Sequence, residues 1–325
     1  MDLRYGRAHR EPVRRGTWSD DPLLTHADVA RVAELKAAGV PGRTISRRST
    51  TGGPWQRLLP GIVLLHSGPP TREQRIRAAL LHGRDRSVLS GIWALHLQGL
   101  ENLPPAKDVH ILIPEERRIA SAGFVHVERT TRLPRPHFRG DLPVAPVPRA
   151  VIDAARRLTD EDEIQAMMAE SVQRRFCTTD MLTHELDQAG RTGTALPRRA
   201  LTPLLAGARS VAEADAWRLW RRSGLPPGRW NVPVFDANGT YIATPDFWCD
   251  ECAFAWEIDS YRHHADLDGH RATVARNARY VAAGIVVLQT LPSRLRAEPE
   301  RVERELKAAF RTAQARPRPN VKLAA

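Results

Sequence analysis

The most constraining feature of this chain is a short acid-bearing stretch near its C-terminal end. TPDFW (244–248) holds Asp246, and AWEIDS (255–260) holds Glu257 and Asp259. An acid after a proline, then an acid-x-acid beyond a short apolar run, predicts two paired strands. If Asp250 and Glu251 of CDEC (249–252) form a two-residue tip, Cys249 pairs with Cys252 and Asp246 stands opposite Ala255. Alternation then puts Asp246, Ala255, Glu257 and Asp259 on one face and Phe247, Phe254 and Trp256 on the other, against a core. In this count Asp246 and Glu257 are diagonal neighbours, roughly 7–8 Å apart at the backbone. Clustered carboxylates raise one another's pKa unless a cation sits between them. Mg²⁺ (or Mn²⁺) suits such hard oxygen ligands, and it can activate water and stabilise charge on a scissile phosphate.

Further residues join this candidate site. Ser210-Val211-Ala212-Glu213 opens a helix and offers Glu213 as a third metal ligand. The same Ser-x-x-Glu spacing is a capping box, and the two roles are compatible. His264 is a candidate general acid/base or phosphate contact, though a solvated loop explains it equally well. Arg276 and Arg279 lie on a helix expected over 272–284, placed to contact phosphate, and Gly284 caps it before the buried strand IVVLQT (285–290). The CDEC cysteines read best as small apolar residues flanking a hairpin tip, because half a zinc site needs a second pair.

The chain is strongly basic, with 49 Lys+Arg against 37 Asp+Glu and a net charge of +12. Such a balance favours nucleic acid over an anionic membrane, although an Arg-rich genome gives the same composition. Residues 1–60 carry 11 Lys+Arg and 6 Asp+Glu, a net of +5. Within them, Thr25 to Asp28 predicts a capped helix start and Gly39 its end. Pro41 precedes a short basic helix, RTISRRS (43–49), and WQRLL and GIVLL form a hairpin. Helix, turn, basic helix and hairpin make a winged helix-turn-helix, whose second helix enters the major groove of DNA. Ile45 faces the core, Arg43, Thr44, Arg47 and Arg48 face outward, and Arg57 sits on the wing.

The remaining organisation is coarser. Thr71 to Gln74 opens a capped helix over about 71–82, and SVLSGIWALHLQGL (87–100) predicts another. DVHILIP (108–114) and GFVHVER (123–129) alternate like paired strands, and four helices follow between 148 and 208. The expected division is a flexible basic arm (1–21), a winged-helix DNA-binding domain (22–100), a mixed α/β linker domain without evident chemistry (101–208), a nuclease-like domain (209–314) and a disordered tail (315–325). No apolar run reaches membrane-spanning length and no secretory leader is evident, so a cytoplasmic protein without membrane partners is expected.

From about 209 to 311, the S-x-x-E helix start, PDFW, E-x-D, a nearby His, an Arg-bearing helix and AAG-IVVLQ resemble the PD-(D/E)XK nuclease superfamily. Within it they are most similar to domains related to very-short-patch-repair (Vsr) endonucleases. The basic helix and L-x-PGIVLL hairpin resemble the winged-helix domain of AbiEi-type antitoxins. The resemblance implies an α+β protein with an N-terminal winged helix and a C-terminal restriction-endonuclease-like α/β core. It places Glu213, Asp246 and Glu257 at the acidic metal positions. Asp259 stands where the superfamily usually has Lys, so it becomes a further ligand or water-orienting group, and His264 or Arg276 the basic partner. Two functions follow: a DNA-binding protein with Mg²⁺-dependent phosphodiester hydrolysis, or an antitoxin-type transcriptional regulator. In the regulator the nuclease-like domain does not cut and serves binding or dimerisation, with a homodimer and a cognate toxin as the partners implied. An RNA-binding protein is a third reading open to the sequence.

Overall fold

The structure, a computed structural model, describes residues 27–258 and 267–323. It is a mixed α+β protein with open sheets, divided into two compact units, one ending at Ala154 and the other beginning at Ala155. The linker stretch expected over 101–208 is therefore shared between the two units. The arm expected over 1–21 lies outside the described residues.

The first unit opens with β1 (Val29–Arg31), α1 (Val32–Ala37), α2 (Gly42–Arg48), β2 (Gln56–Leu59) and β3 (Ile62–Leu64). The three strands form an antiparallel sheet in the order β1-β3-β2. Leu35, Ile45, Trp55 and Val63 close its core, so Ile45 points inward as its spacing predicts. The helix expected to start near Thr25 begins instead at Val32, because residues 29–31 pair with β3. Thr25 itself lies outside the described residues. Gly39, at φ +91°, lets the chain leave α1 with the Val40 amide bonded back to the Leu35 carbonyl at 2.9 Å.

Next come α3 (Arg72–Gly83), β4 (Val88–Ser90), α4 (Gly91–Leu97), β5 (Val109–Pro114), β6 (Val125–Thr130), β7 (His137–Arg139), β8 (Leu142–Val144) and α5 (Val147–Ala155). Thr71 and Gln74 form the expected capping box at the start of α3. The strands make a five-stranded sheet in the order β6-β5-β4-β8-β7, with β5 and β6 parallel. The helix expected over 87–100 is corrected: its first residues are β4, buried throughout between β5 and β8. A strand buried on both faces shows no polar alternation, so its sequence does not separate it from a buried helix.

The second unit begins with four helices, α6 (Glu161–Gln173), α7 (Thr179–Gln188), α8 (Ala195–Leu205) and α9 (Val211–Ser223). It continues with β9 (Arg229–Trp230), β10 (Val234–Asp236), β11 (Tyr241–Ala243), β12 (Phe247–Cys249), β13 (Phe254–Ile258), α10 (Leu267–Ala282), β14 (Val286–Thr290), α11 (Pro292–Ala297), α12 (Pro299–Gln314) and β15 (Val321–Leu323). Its main sheet runs β14-β13-β12-β9, with β13 and β14 parallel and the other pairs antiparallel. One face buries Phe247, Phe254 and Trp256 against Trp220 of α9 and Leu306 and Phe310 of α12. The other face buries Trp248 and Ala255 against Tyr280 of α10. The apolar residues of α12 recur at Val302, Leu306, Phe310 and Ala313, a stripe that fits one face of a helix.

The expected disordered tail is also corrected. Val321 to Leu323 pair with β10, and Val321 is buried. Arg318 donates to the Asp250 side chain at 2.9 Å and to its carbonyl at 2.8 Å, which ties the segment back to the β12–β13 loop. A three-residue strand carries little signal of its own, and its order comes from a partner far away in sequence.

Candidate functional site

The β12–β13 hairpin sets the site. Its register pairs Cys249 with Phe254, Trp248 with Ala255 and Phe247 with Trp256. The loop is thus four residues, 250–253, rather than the expected two. A two-residue hairpin turn needs positive φ at its first central position, and in type I′ at both, which Asp250-Glu251 does not favour. Here Ala253 takes the positive φ, +49°. The partner strand slips by two residues, so the faces are as expected while the neighbours change. One residue further along the register, Asp246 stands beside Glu257 and not diagonal to it. Consistent with this, the Ile258 amide donates to Asp246 Oδ2 at 2.6 Å.

Glu213 arrives from the start of α9. Ser210 caps the helix by accepting from the Glu213 amide at 3.1 Å. The Glu213 carboxylate turns back to accept from the Arg209 amide at 2.9 Å and from Asn231 Nδ2 at 2.7 Å. The capping role therefore holds, with the amide one residue earlier than a standard box uses. Asn231 also donates its own amide to the Asp246 carbonyl at 3.0 Å, linking the two acid-bearing segments.

Two side chains of α10 complete the arrangement. Arg276 Nη1 lies 3.6 Å from Glu257 Oε2, and the Tyr280 hydroxyl donates to Glu257 Oε1 at 2.5 Å. The two residues are four apart, one turn along a single helix face. Glu257 is 2% exposed and Glu213 8%, so both charges depend on these partners. Burial pushes the Asp246 carboxyl up to about 7, helped by the charges of Glu257 and Glu213. The Ile258 N–H and Arg276 oppose that rise. Tyr280 is held above the usual phenol range by burial and by Glu257. Arg279, expected beside Arg276 in the site, instead donates to the Ile242 carbonyl of β11 at 2.6 Å.

The structure thus brings together Glu213, Asp246, Glu257 and Arg276. Asp259 and His264 lie outside the described residues. Cys249 and Cys252 are free, buried and packed in the aromatic core. Burial raises the Cys249 thiol and pushes Cys252 up to about 12, so neither is poised as a thiolate.

In the first unit, Arg43 and Arg47 are exposed on α2, Thr44 and Arg48 are half-buried, and Arg57 is exposed on β2. Arg48 lies over the Trp55 ring, 5.1 Å from its centre. Its guanidinium is therefore held against the core, while Arg43 and Arg47 remain exposed.

Sequence reasoning missed Tyr280 and Asn231. Tyr280 carried a signal, since it stands one helical turn beyond Arg276. It also missed His110, His126 and Glu128, whose candidate ligand atoms all lie within 4.8 Å of one another. Among the described residues, Glu213, Asp246 and Glu257 do not close to that spacing. No helix among the described residues is long and apolar enough to cross a membrane. Comparison with protein-family models, curated proteins and solved structures returned no match to this chain.

Proposed function

We propose that this chain is a DNA-binding protein whose second unit hydrolyses phosphodiester bonds with Mg²⁺ (or Mn²⁺). In this reading β1 to β3 with α1 and α2 are a winged helix-turn-helix. Helix α9, the β9-β12-β13-β14 sheet and α10 are a restriction-endonuclease-like core. The observation that carries it is the meeting of Asp246, Glu257 and Glu213, drawn from three separate elements, at one half-buried carboxyl. Burial first, and then the like charge of Glu257 and Glu213, raises that carboxyl, and a cation relieves the repulsion. The donor set is all oxygen, and Mg²⁺ typically takes one or two carboxylates and keeps several waters, so the wider spacing of the three acids suits it. When bound, the ion supplies an activated water and charge stabilisation at the phosphate.

The chain's own residues do the rest. Asp246 and Glu257 hold the ion from adjacent strands, and Glu213 orients its waters. Tyr280 and the Ile258 amide fix those carboxylates, which limits the reorganisation each turnover would need. Arg276, from α10, supplies the positive charge that a Lys at the position of Asp259 usually provides in the superfamily. Purified protein is expected to nick supercoiled DNA with Mg²⁺ or Mn²⁺, and Asp246→Ala is expected to lower the rate by about a thousandfold or more. Equal cutting by wild type and variant would sink the reading.

A second reading is favoured by one observation: both Glu257 oxygens already have protein partners, Tyr280 and Arg276. In that reading the domain no longer cuts, and the protein is an antitoxin-type transcriptional regulator. Its mark is a band shift with the gene's own upstream DNA and no metal-dependent cleavage. Joint Arg43→Ala and Arg47→Ala substitution is expected to weaken that shift and make its salt dependence shallower by about two phosphate contacts. Unaltered binding would remove α2 as the DNA-reading helix in either reading.

A further inference from the structure

The first unit contains a ligand set of a different kind from the acid cluster. Strands β5 and β6 run parallel with His110 directly beside His126. Glu128 follows His126 by two residues, so it projects from the same face of the sheet. The rings of the two histidines lie edge to face, 4.9 Å between centres. His110 Nε2 is 3.1 Å from Glu128 Oε2. Four ligands at a zinc distance of about 2.0–2.2 Å stand roughly 3.3–3.6 Å apart in a tetrahedron. The pair of atoms is already near that spacing, and all three ligand atoms fall within 4.8 Å of one another.

The satisfaction of His110 is the second observation. His110 is 2% exposed, and neither ring nitrogen has a hydrogen-bond partner. The 3.1 Å approach to Glu128 is close in distance but not aligned as a hydrogen bond. Buried polar atoms are nearly always hydrogen-bonded, so a buried imidazole with neither nitrogen in a hydrogen bond requires a physical reason. Gly91, at φ +64°, has its backbone against Nδ1: a Cβ there would stand 3.3 Å from that nitrogen. Nε2, on the Glu128 side, is therefore the nitrogen able to ligate. The Glu128 side chain is 23% exposed, which leaves that side open to solvent.

We propose that His110, His126 and Glu128 bind a single divalent transition-metal ion of the zinc type. Two imidazoles with one carboxylate are a borderline donor set that suits Zn²⁺ and its neighbours, whereas Mg²⁺ and Ca²⁺ select oxygen ligands. Three protein ligands leave the fourth position to water from the open side. This site is independent of the acid cluster, both in its residues and in the ion it selects.

The test is calorimetric titration of chelator-stripped, full-length protein with Zn²⁺, together with its thermal unfolding. The expected result is one Zn²⁺ per chain and a raised midpoint of unfolding. His126→Gln and Glu128→Gln lie at half-buried positions, so they spare the core that His110→Ala would disturb. Each is expected to weaken that binding by about a hundredfold or more, because even losing a hydrogen-bonded neighbour of a ligand costs roughly 10–100-fold. Co²⁺ added in place of Zn²⁺ is expected to give a visible absorption band that His126→Gln removes. Wild type that takes up no Zn²⁺ overturns the proposal. So does Zn²⁺ uptake that survives both substitutions on β6, or that disappears only in Asp246→Asn.

Discussion

The acid cluster of the second unit and the histidine pair of the first are opposites in how their polar atoms are met. Around Asp246, donors are plentiful: the Ile258 amide, Tyr280, Asn231, the Arg209 amide and Arg276 all serve the three carboxylates. What is in surplus there is negative charge. At His110 the shortage is of hydrogen-bond partners: neither ring nitrogen has one, in a dry place. The contrast separates two ways of preparing for a cation. One site concentrates charge and suits a hard ion that keeps its water. The other presents borderline donors and suits an ion that sheds most of it.

The sharpest way to break the comparison is to remove the charge surplus without removing the shape. Asp246→Asn keeps an oxygen for the Ile258 amide and cannot ionise. An ordinary aspartic acid titrates near 4, and Asp246 in the fold is held up to about 7. The folded state therefore keeps its proton longer than the unfolded chain does. Its contribution to stability is fully present below pH 4 and is lost as pH rises to 7. The whole gap corresponds to roughly 4 kcal/mol. Asp246→Asn is expected to be more stable than wild type by up to about that amount at pH 8, with the advantage fading towards pH 4, read by denaturant unfolding at both pH values. Mg²⁺ at pH 8 is expected to raise the stability of wild type and not of the variant. A constant difference between wild type and variant across pH would mean that the fold does not hold the Asp246 carboxyl up.

A smaller effect tests the other half of the contrast, the supply of donors. Tyr280→Phe keeps the buried ring and removes the hydroxyl from Glu257. Leaving a buried carboxylate oxygen short of a donor costs about 1–3 kcal/mol. That loss is expected in urea unfolding at neutral pH, with an unchanged slope. No loss would show that Arg276 alone suffices for Glu257.

These sites were unequally legible in the sequence. The S-x-x-E start of α9 and the alternation of β12 and β13 place three acids together, because both signals are local. The hairpin register differs from the expected one, since Ala253 rather than the Asp250-Glu251 pair takes the left-handed backbone. Strands β1, β4 and β15 were missed for a common reason: each is three residues long and owes its order to a distant partner. The histidine set was hidden more deeply. His110 and His126 meet only through the register of two parallel strands, and nothing in either segment alone states that register. Arg276 was placed from its helix, while Tyr280, on the same face, reads as core until Glu257 is seen to need it.

The two-residue slip at the β12–β13 turn has an engineering consequence. Side chains change face with every residue, so lengthening the 250–253 loop by an even number keeps Asp246 and Glu257 on a common side. An odd insertion whose extra residue is taken up by re-pairing sends one of them into the aromatic layer beside Trp220 and Phe310. Loop length at this turn thus acts as a parity code. A library of insertions there should sort by whether the count is odd or even before it sorts by what the inserted residues are.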